Sequence, residues 1–169
     1  MEPNEALGIA AQVAVALAGF AGVVVVFRPQ SLHQWSALDR ARLHLLLHNS
    51  ICPLGYALFA MLLLSVKPAS ENIWRWCSVF ALLFQLPGAI IAARQTRAVG
   101  KEAYQGVGGT LLFYLIAAVG TGSLILQFIN LTWLNQFWPF FLAIFVHLMA
   151  AVLQFTRMVL LLPQKDEAK

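Results

Sequence analysis

Five long apolar stretches, separated by short polar connectors, constrain this chain more than any other feature of its sequence. Each has about the 20 apolar residues with which an α-helix crosses a hydrocarbon core roughly 30 Å thick. They occupy about residues 7–27, 43–66, 73–93, 111–130 and 137–162. The sequence therefore predicts an all-α membrane protein, a compact bundle of five transmembrane helices that forms one domain over residues 1–169.

The composition favours a membrane fold over a soluble one. Hydrophobic residues make up 60% of the chain and charged residues 11%, whereas a soluble domain usually has about 25% charged residues. So few charges could not cover the apolar surface of a soluble fold. We interpret the first stretch as a retained helix, because the acidic start with Glu2 and Glu5 lacks the basic region of a signal peptide.

The placement of the basic residues predicts an orientation. With five spans, nine Lys and Arg residues fall on one side and two on the other, and the positive-inside rule assigns the nine to the cytoplasm. The N-terminus is then outside and the C-terminus cytoplasmic. The nine are Arg28, Arg40, Arg42, Arg94, Arg97, Lys101, Arg157, Lys165 and Lys169, and the two are Lys67 and Arg75. Because the charges are split among separate segments, we expect no nucleic-acid partner.

The stretch from Ser36 to Val66 begins with polar residues, as a helix of a soluble protein does, and ends with the apolar residues of a membrane helix. Ser36 is a good N-cap, and Asp39 stands at the capping-box spacing. Polar side chains then recur about every four residues, and a charge at membrane depth costs about 2.5–3.5 kcal/mol. We expect these side chains to line a pore or polar cavity rather than face lipid: Arg40, His44, His48 and Asn49.

Two other interpretations of this stripe stay open. It could be hydrogen-bonding glue between helices. It could also hold a metal or haem, with His44, His48, Cys52 and His147 as weak candidate ligands. No carboxylate lies deep enough to complete a hard-metal site. We therefore predict no cofactor, although haem or metal is not excluded.

Three further features bear on packing and binding. Proline and glycine interrupt the second and third spans at Pro53 and Pro87, where we expect kinks. Asp39 and Arg157 both belong to the basic side and could pair between spans two and five. The connector 94–110 is either a flexible loop or a site for a lipid phosphate or another anion, formed by Arg94, Arg97, Lys101 and Gly108.

Three short segments carry a resemblance. They are ALAGFAGVVVVFR at 16–28, the Asp39-Arg40-x-Arg42-Leu43 entry to the second span, and Gln154-Phe155-x-Arg157. Together they cover about a fifth of the chain. In these segments the chain resembles an uncharacterised family of small bacterial polytopic inner-membrane proteins. The resemblance implies a compact bundle in a bacterial inner membrane, and it implies no activity.

These features lead to three functional hypotheses. The first is a homo-oligomeric channel or small transporter with a basic, histidine-containing cytoplasmic mouth. The second is a non-catalytic membrane subunit or partner protein in which the polar stripe is structural. The third is a haem- or metal-binding membrane enzyme, although a non-enzyme is favoured. The expected partners are the lipid bilayer and either further copies of the chain or a membrane partner subunit.

Overall fold

A computed structural model of the protein describes residues 2–27, 31–66, 71–100 and 109–160. Within these ranges the structure is entirely helical, and it contains five helices that are long and apolar enough to cross a membrane. The helices are α1 Pro3–Phe27, α2 Ala37–Val66, α3 Ile73–Val99, α4 Gly109–Ile129 and α5 Phe137–Leu160. A short 3-10 helix covers Leu32–Gln34, and a π-helical turn covers Asn130–Leu134.

The helix bounds follow local signals in the sequence. Ser36 caps α2 as predicted, because its Oγ accepts a hydrogen bond from the Asp39 backbone N–H at 3.0 Å. Helices α3 and α5 begin at Ile73 and Phe137, the predicted first residues of spans three and five. Both interior prolines, Pro53 and Pro87, lie within continuous helices. The expected kinks at these positions stay predictions.

Successive helices run antiparallel, so the bundle has two distinct ends. The basic end contains Arg42 and Arg157, and the tryptophan end contains Trp74 and Trp133. Near the tryptophan end, Tyr56 of α2 packs against Phe140 of α5, with ring centroids 6.4 Å apart. Towards the basic end, Phe20 of α1 packs against Phe155 of α5 at 5.3 Å. Which end faces the cytoplasm stays a prediction.

Helix α2 packs most extensively, against α1, α3 and α5, and α5 contacts all four other helices. Small side chains on α1 allow a close approach to α2, and Ala6, Ala10 and Ala14 are all buried. A stripe of small residues is a common way for membrane helices to approach closely. The core is divided into one cluster around Tyr56 and Phe140 and a second around Leu46 and Met158.

A closed set of polar contacts, here called the amide network, joins α3, α4 and α5 near the tryptophan end. Ser78 Oγ donates to Gln127 Oε1 at 2.9 Å, and Asn130 Nδ2 donates to Ser78 Oγ at 2.8 Å. Gln127 Nε2 also donates to the Pro139 carbonyl at 2.6 Å. Asn130 Oδ1 accepts from the Gln136 backbone N–H at 2.8 Å. These contacts hold the π-helical turn against the start of α5.

Asn135 connects this turn to the beginning of α3. Its backbone is left-handed, with φ 50° and ψ 48°, a conformation that asparagine tolerates better than most residues. Its Oδ1 accepts a hydrogen bond from the Arg75 backbone N–H at 3.1 Å, and its Nδ2 donates to the Glu71 carbonyl. The side chain of Asn135 therefore satisfies one of the free N–H groups of the first turn of α3.

Candidate polar site

The imidazole of His48 lies against the backbone of α3 at Gly88. A Cβ placed on Gly88 would overlap His48 Nε2 and lie 2.5 Å from His48 Cε1. Only glycine leaves room for the ring at this position. On its own helix, His48 contacts Cys52, whose Sγ is 3.6 Å from Nδ1 and 3.7 Å from Nε2. Close packing therefore fixes the ring between α2 and α3.

His147 brings a second imidazole to the same region from α5. Its side chain is 8% exposed, and its Nδ1 lies 2.7 Å from Asn49 Oδ1. Since the amide oxygen can only accept, Nδ1 is the donor in this contact. The other ring nitrogen, Nε2, is buried and forms no hydrogen bond with the residues that the structure describes. Leaving such a nitrogen unsatisfied costs about 1–3 kcal/mol.

The three histidines form a series that leads from an exposed position into the bundle. His44 is exposed, and its Nδ1 lies 3.3 Å from Nε2 of Gln95 on α3. The ring centroids of His44 and His48 are 6.4 Å apart, and those of His48 and His147 are 5.9 Å apart. The ring of Tyr56 lies 5.6 Å beyond that of His147. We call His44, His48 and His147 the imidazole series.

The described residues contain no group of three or more His, Cys, Asp or Glu side chains placed to hold a metal ion. Of the proposed ligands, Cys52 contacts His48 directly and His147 lies close to His48. The fourth candidate, His44, lies on the far side of His48 from His147, and its Nδ1 contacts Gln95. The structure therefore brings the candidate residues near one another without arranging three of them around one centre.

A cavity of about 50 Å³ lies at the basic end, beside the imidazole series. Four helices line it, and its polar lining residues are Arg42, Gln95, Thr96, Gln154 and Arg157. Both arginines are buried, with 8% and 7% of their surfaces exposed. Arg42 Nη1 lies 3.8 Å from Asp39 Oδ1, one helical turn away. Asp39 and Arg157 thus belong to the same end as predicted, and their ion pair stays a prediction.

The other predicted site residues are distributed as follows. Asn49 is half-buried, whereas Arg40 is exposed at the start of α2. Arg94 and Arg97 are exposed near the end of α3. The remaining two members of the predicted anion site, Lys101 and Gly108, lie outside the described residues. The structure therefore places the buried basic side chains at Arg42 and Arg157, not at Arg94 and Arg97.

Several residues that shape this site were not assigned to it from the sequence. Gly88 was interpreted as part of a helix interruption, and its contact with His48 was not predicted. Gln95 was treated as part of a connector, although it contacts His44 and lines the cavity. A polar residue within an apolar helix was the available signal for Gln154. For Gly88, no signal in the sequence identifies the facing residue.

The fold indicates the class of the protein. It is an all-helical chain with five candidate membrane-spanning helices, which is compatible with a multi-pass integral membrane protein. Comparisons with protein-family models, with curated proteins and with solved structures give no significant match. The imidazole series and the cavity beside it are therefore the basis for a proposal of function.

Proposed function

We propose that the protein is a channel or small transporter, with the imidazole series and Asn49 lining the polar part of its solute path. In this proposal the basic end faces the cytoplasm of a bacterial inner membrane, and several copies associate to complete the path. The observation that supports it is His147, a buried imidazole with one nitrogen bonded to Asn49 and the other without a described partner. That second nitrogen is available to a proton, to water or to a solute on the path.

Protonation supplies the proposed opening step. His48 and His147 have ring centroids 5.9 Å apart, so charging both rings brings two like charges close together in a poorly solvated region. Their repulsion would separate α2 from α5 and admit water. The titratable side chains around the pair are His44, Cys52 and Tyr56, all on α2. Because each bound proton adds positive charge to the pair, we expect opening to increase as the pH falls.

Flux into proteoliposomes tests this proposal. Wild-type protein should pass chloride, phosphate or glycerol faster as the pH is lowered, by at least about tenfold between about pH 7.5, where histidine is mostly neutral, and about pH 4.5. His48→Ala should lose this pH dependence. His33→Ala is the matched control, because His33 is exposed outside the series and its removal should leave the pH response intact. The absence of flux from wild-type vesicles at both pH values would refute the proposal.

Helix α4 favours a second candidate, a non-catalytic membrane subunit. Only 11% of its apolar window is buried within the chain, against 28–33% for the other four helices. Its small residues Ala118 and Gly122 are exposed, and such pairs let another helix approach closely. Purification in mild detergent separates the candidates: a single stoichiometric heterologous partner would support the subunit role, whereas a homo-oligomer would support the channel.

A further inference from the structure

We propose that the cavity at the basic end binds a small neutral polyol, with glycerol as the type case. The cavity volume of about 50 Å³ is several times the roughly 10–15 Å³ that one water molecule needs, so it has room for several hydroxyl groups. As the identity of a transported solute, this inference rests on the proposed function. As a binding site, it stands independently, because equilibrium binding can be measured without flux.

Two amide oxygens supply the polar recognition. Gln95 Oε1 on α3 and Gln154 Oε1 on α5 are both buried and have no hydrogen-bond partner in the described part of the chain, and both residues line the cavity. Gln95 Nε2 lies 3.3 Å from His44 Nδ1, which leaves Oε1 for another donor. Because an amide oxygen can only accept hydrogen bonds, a ligand that satisfies both glutamines has at least two donors.

An apolar wall completes the cavity. It is formed by Leu38, Ala41 and Leu45 of α2 and by Phe113 of α4. Water alone would satisfy the amide oxygens but would leave this apolar surface in contact with water. A polyol has hydroxyl groups for the oxygens and C–H groups that pack against the apolar side chains. Small-molecule sites typically combine an apolar lining with a few placed polar groups in this way.

The charge of the lining favours a neutral ligand over an ion. Arg42 and Arg157 line the cavity, and the described lining residues include no carboxylate, so an ammonium group would lie beside two positive charges. An anion without O–H groups offers the amide oxygens no donor. Both arginines have other interactions within the protein, and polyol binding requires no hydrogen bond from either of them.

The imidazole series continues this pattern of hydrogen-bond acceptors into the bundle. His147 and Gln154 are seven residues apart on α5, which is about two turns and about 10 Å along the same helix face. His147 Nε2 is buried without a described partner, and it can accept because Nδ1 donates to Asn49. A solute that donates hydrogen bonds would therefore find acceptors at the cavity and again at His147. The cavity then forms the entrance of the proposed path.

Saturation-transfer NMR of the purified full chain tests the site, in a zwitterionic detergent without hydroxyl groups at neutral pH. Glycerol should bind saturably. Dimethyl sulfoxide, which accepts hydrogen bonds and cannot donate them, should bind at least about tenfold more weakly. Ethanolammonium, which donates but is positively charged, should also bind at least about tenfold more weakly. Absence of glycerol binding, or equal binding of either analogue, would overturn the proposal.

Three variants locate the site. Gln154→Leu and Gln95→Leu each remove one acceptor, so each should weaken glycerol binding at least about threefold. Gln154→Leu should do so without lowering the melting temperature, because an unsatisfied buried oxygen is replaced by an apolar group, and it decides the question if Gln95→Leu fails to fold. Gln12→Leu replaces an exposed glutamine of α1 and should bind like wild type. Wild-type affinity in both site variants would overturn the location.

Nanodiscs distinguish the two sources of such a polyol. If phosphatidylglycerol in the disc abolishes the binding of added glycerol, the occupant is the glycerol headgroup of a lipid. If glycerol binds equally in discs of phosphatidylglycerol and of phosphatidylcholine, the occupant is a free polyol. Either result supports the proposed chemistry. Glycerol binding without flux of any solute would refute the proposed transport function and keep the site, whereas glycerol flux without binding would refute the site.

Discussion

Two regions of the bundle, the amide network and the surroundings of the imidazole series, differ in how the hydrogen bonds of their buried polar groups are satisfied. In the amide network near the tryptophan end, Ser78, Gln127 and Asn130 are each 0% exposed and bond to one another or to backbone. Around the imidazole series and the cavity, His147 Nε2, Gln95 Oε1 and Gln154 Oε1 are buried and have no partner among the described residues. The first region has the properties of a structural network, and the second has polar atoms that can still bond to a solute or water.

Gln85 lies between these regions and has an intermediate character. Its Nε2 donates to Ser123 at 3.2 Å, while its Oε1 has no described partner. Arg75 Nε lies at the tryptophan end outside the amide network and is also buried without a described partner. The comparison therefore holds between the amide network and the polar groups around the imidazole series, not between whole ends of the bundle. It teaches that the number of buried polar residues in a membrane helix is a poor guide to function. Whether each buried polar group has a hydrogen-bond partner is more informative, since fully satisfied networks stabilise a fold and unsatisfied buried groups are costly.

The largest effect should come from opening the amide network. Asn130→Leu removes three hydrogen bonds, to Ser78, to the Gln136 carbonyl and from the Gln136 N–H, and leaves buried groups without partners. We expect the free energy of unfolding to fall by about 3 kcal/mol, measured by SDS titration in mixed micelles. Thr132→Val, at an exposed neighbouring position, is the control. Equal stability of the two variants would show that the amide network does not stabilise the fold.

A smaller effect should follow from filling the space beside His48. Gly88→Ala introduces a Cβ that overlaps the imidazole, so overpacking should lower stability by about 1–3 kcal/mol. In a His48→Ala background the overlap is gone. The same change should then be stabilising by about 0.5–1 kcal/mol, because alanine is the better helix former. Additive effects in this double-mutant cycle would contradict the contact.

The smallest effect on stability is expected at the imidazole series. Replacing His147 and Asn49 together by Leu removes the 2.7 Å hydrogen bond between them and also the unsatisfied Nε2. Because both partners are replaced by apolar groups, stability should stay within about 1 kcal/mol of wild type. Any pH-dependent flux should disappear. A fall in the free energy of unfolding comparable to that of Asn130→Leu would mean that the amide network and the imidazole series are both structural, and that the comparison fails.

Local features of the fold could be predicted from the sequence. The apolar stretches identified the five helices, Ser36 identified the start of α2, and Ile73 and Phe137 were the predicted first residues of their spans. These signals depend on neighbouring residues of one segment. Bilayer insertion and the orientation of the termini stay predictions, because they depend on a membrane that is not part of the structure.

The site could be predicted only in part, because it depends on how helices face each other. The polar stripe on α2 includes His48 and Asn49, which are half-buried in the structure, and their role in lining a pore or cavity stays a prediction. Their partners Gly88 and His147 come from other helices. Which residues of two helices face each other cannot be predicted from the sequence of either segment alone. The anion site around Arg94, Arg97, Lys101 and Gly108 stays a prediction, since Lys101 and Gly108 lie outside the described residues. The burial of Arg42 and Arg157 at the same end was not predicted.

The contact between Asn135 and Arg75 has a consequence for biosynthesis. The group that completes the first turn of α3 lies 60 residues further along the chain. At a translation rate of about 5–20 residues per second, the ribosome needs roughly 3–12 s to supply it. During that interval the nascent third helix has no cap from Asn135, so final docking of its leading end must follow synthesis of α4 and the turn that ends at Asn135.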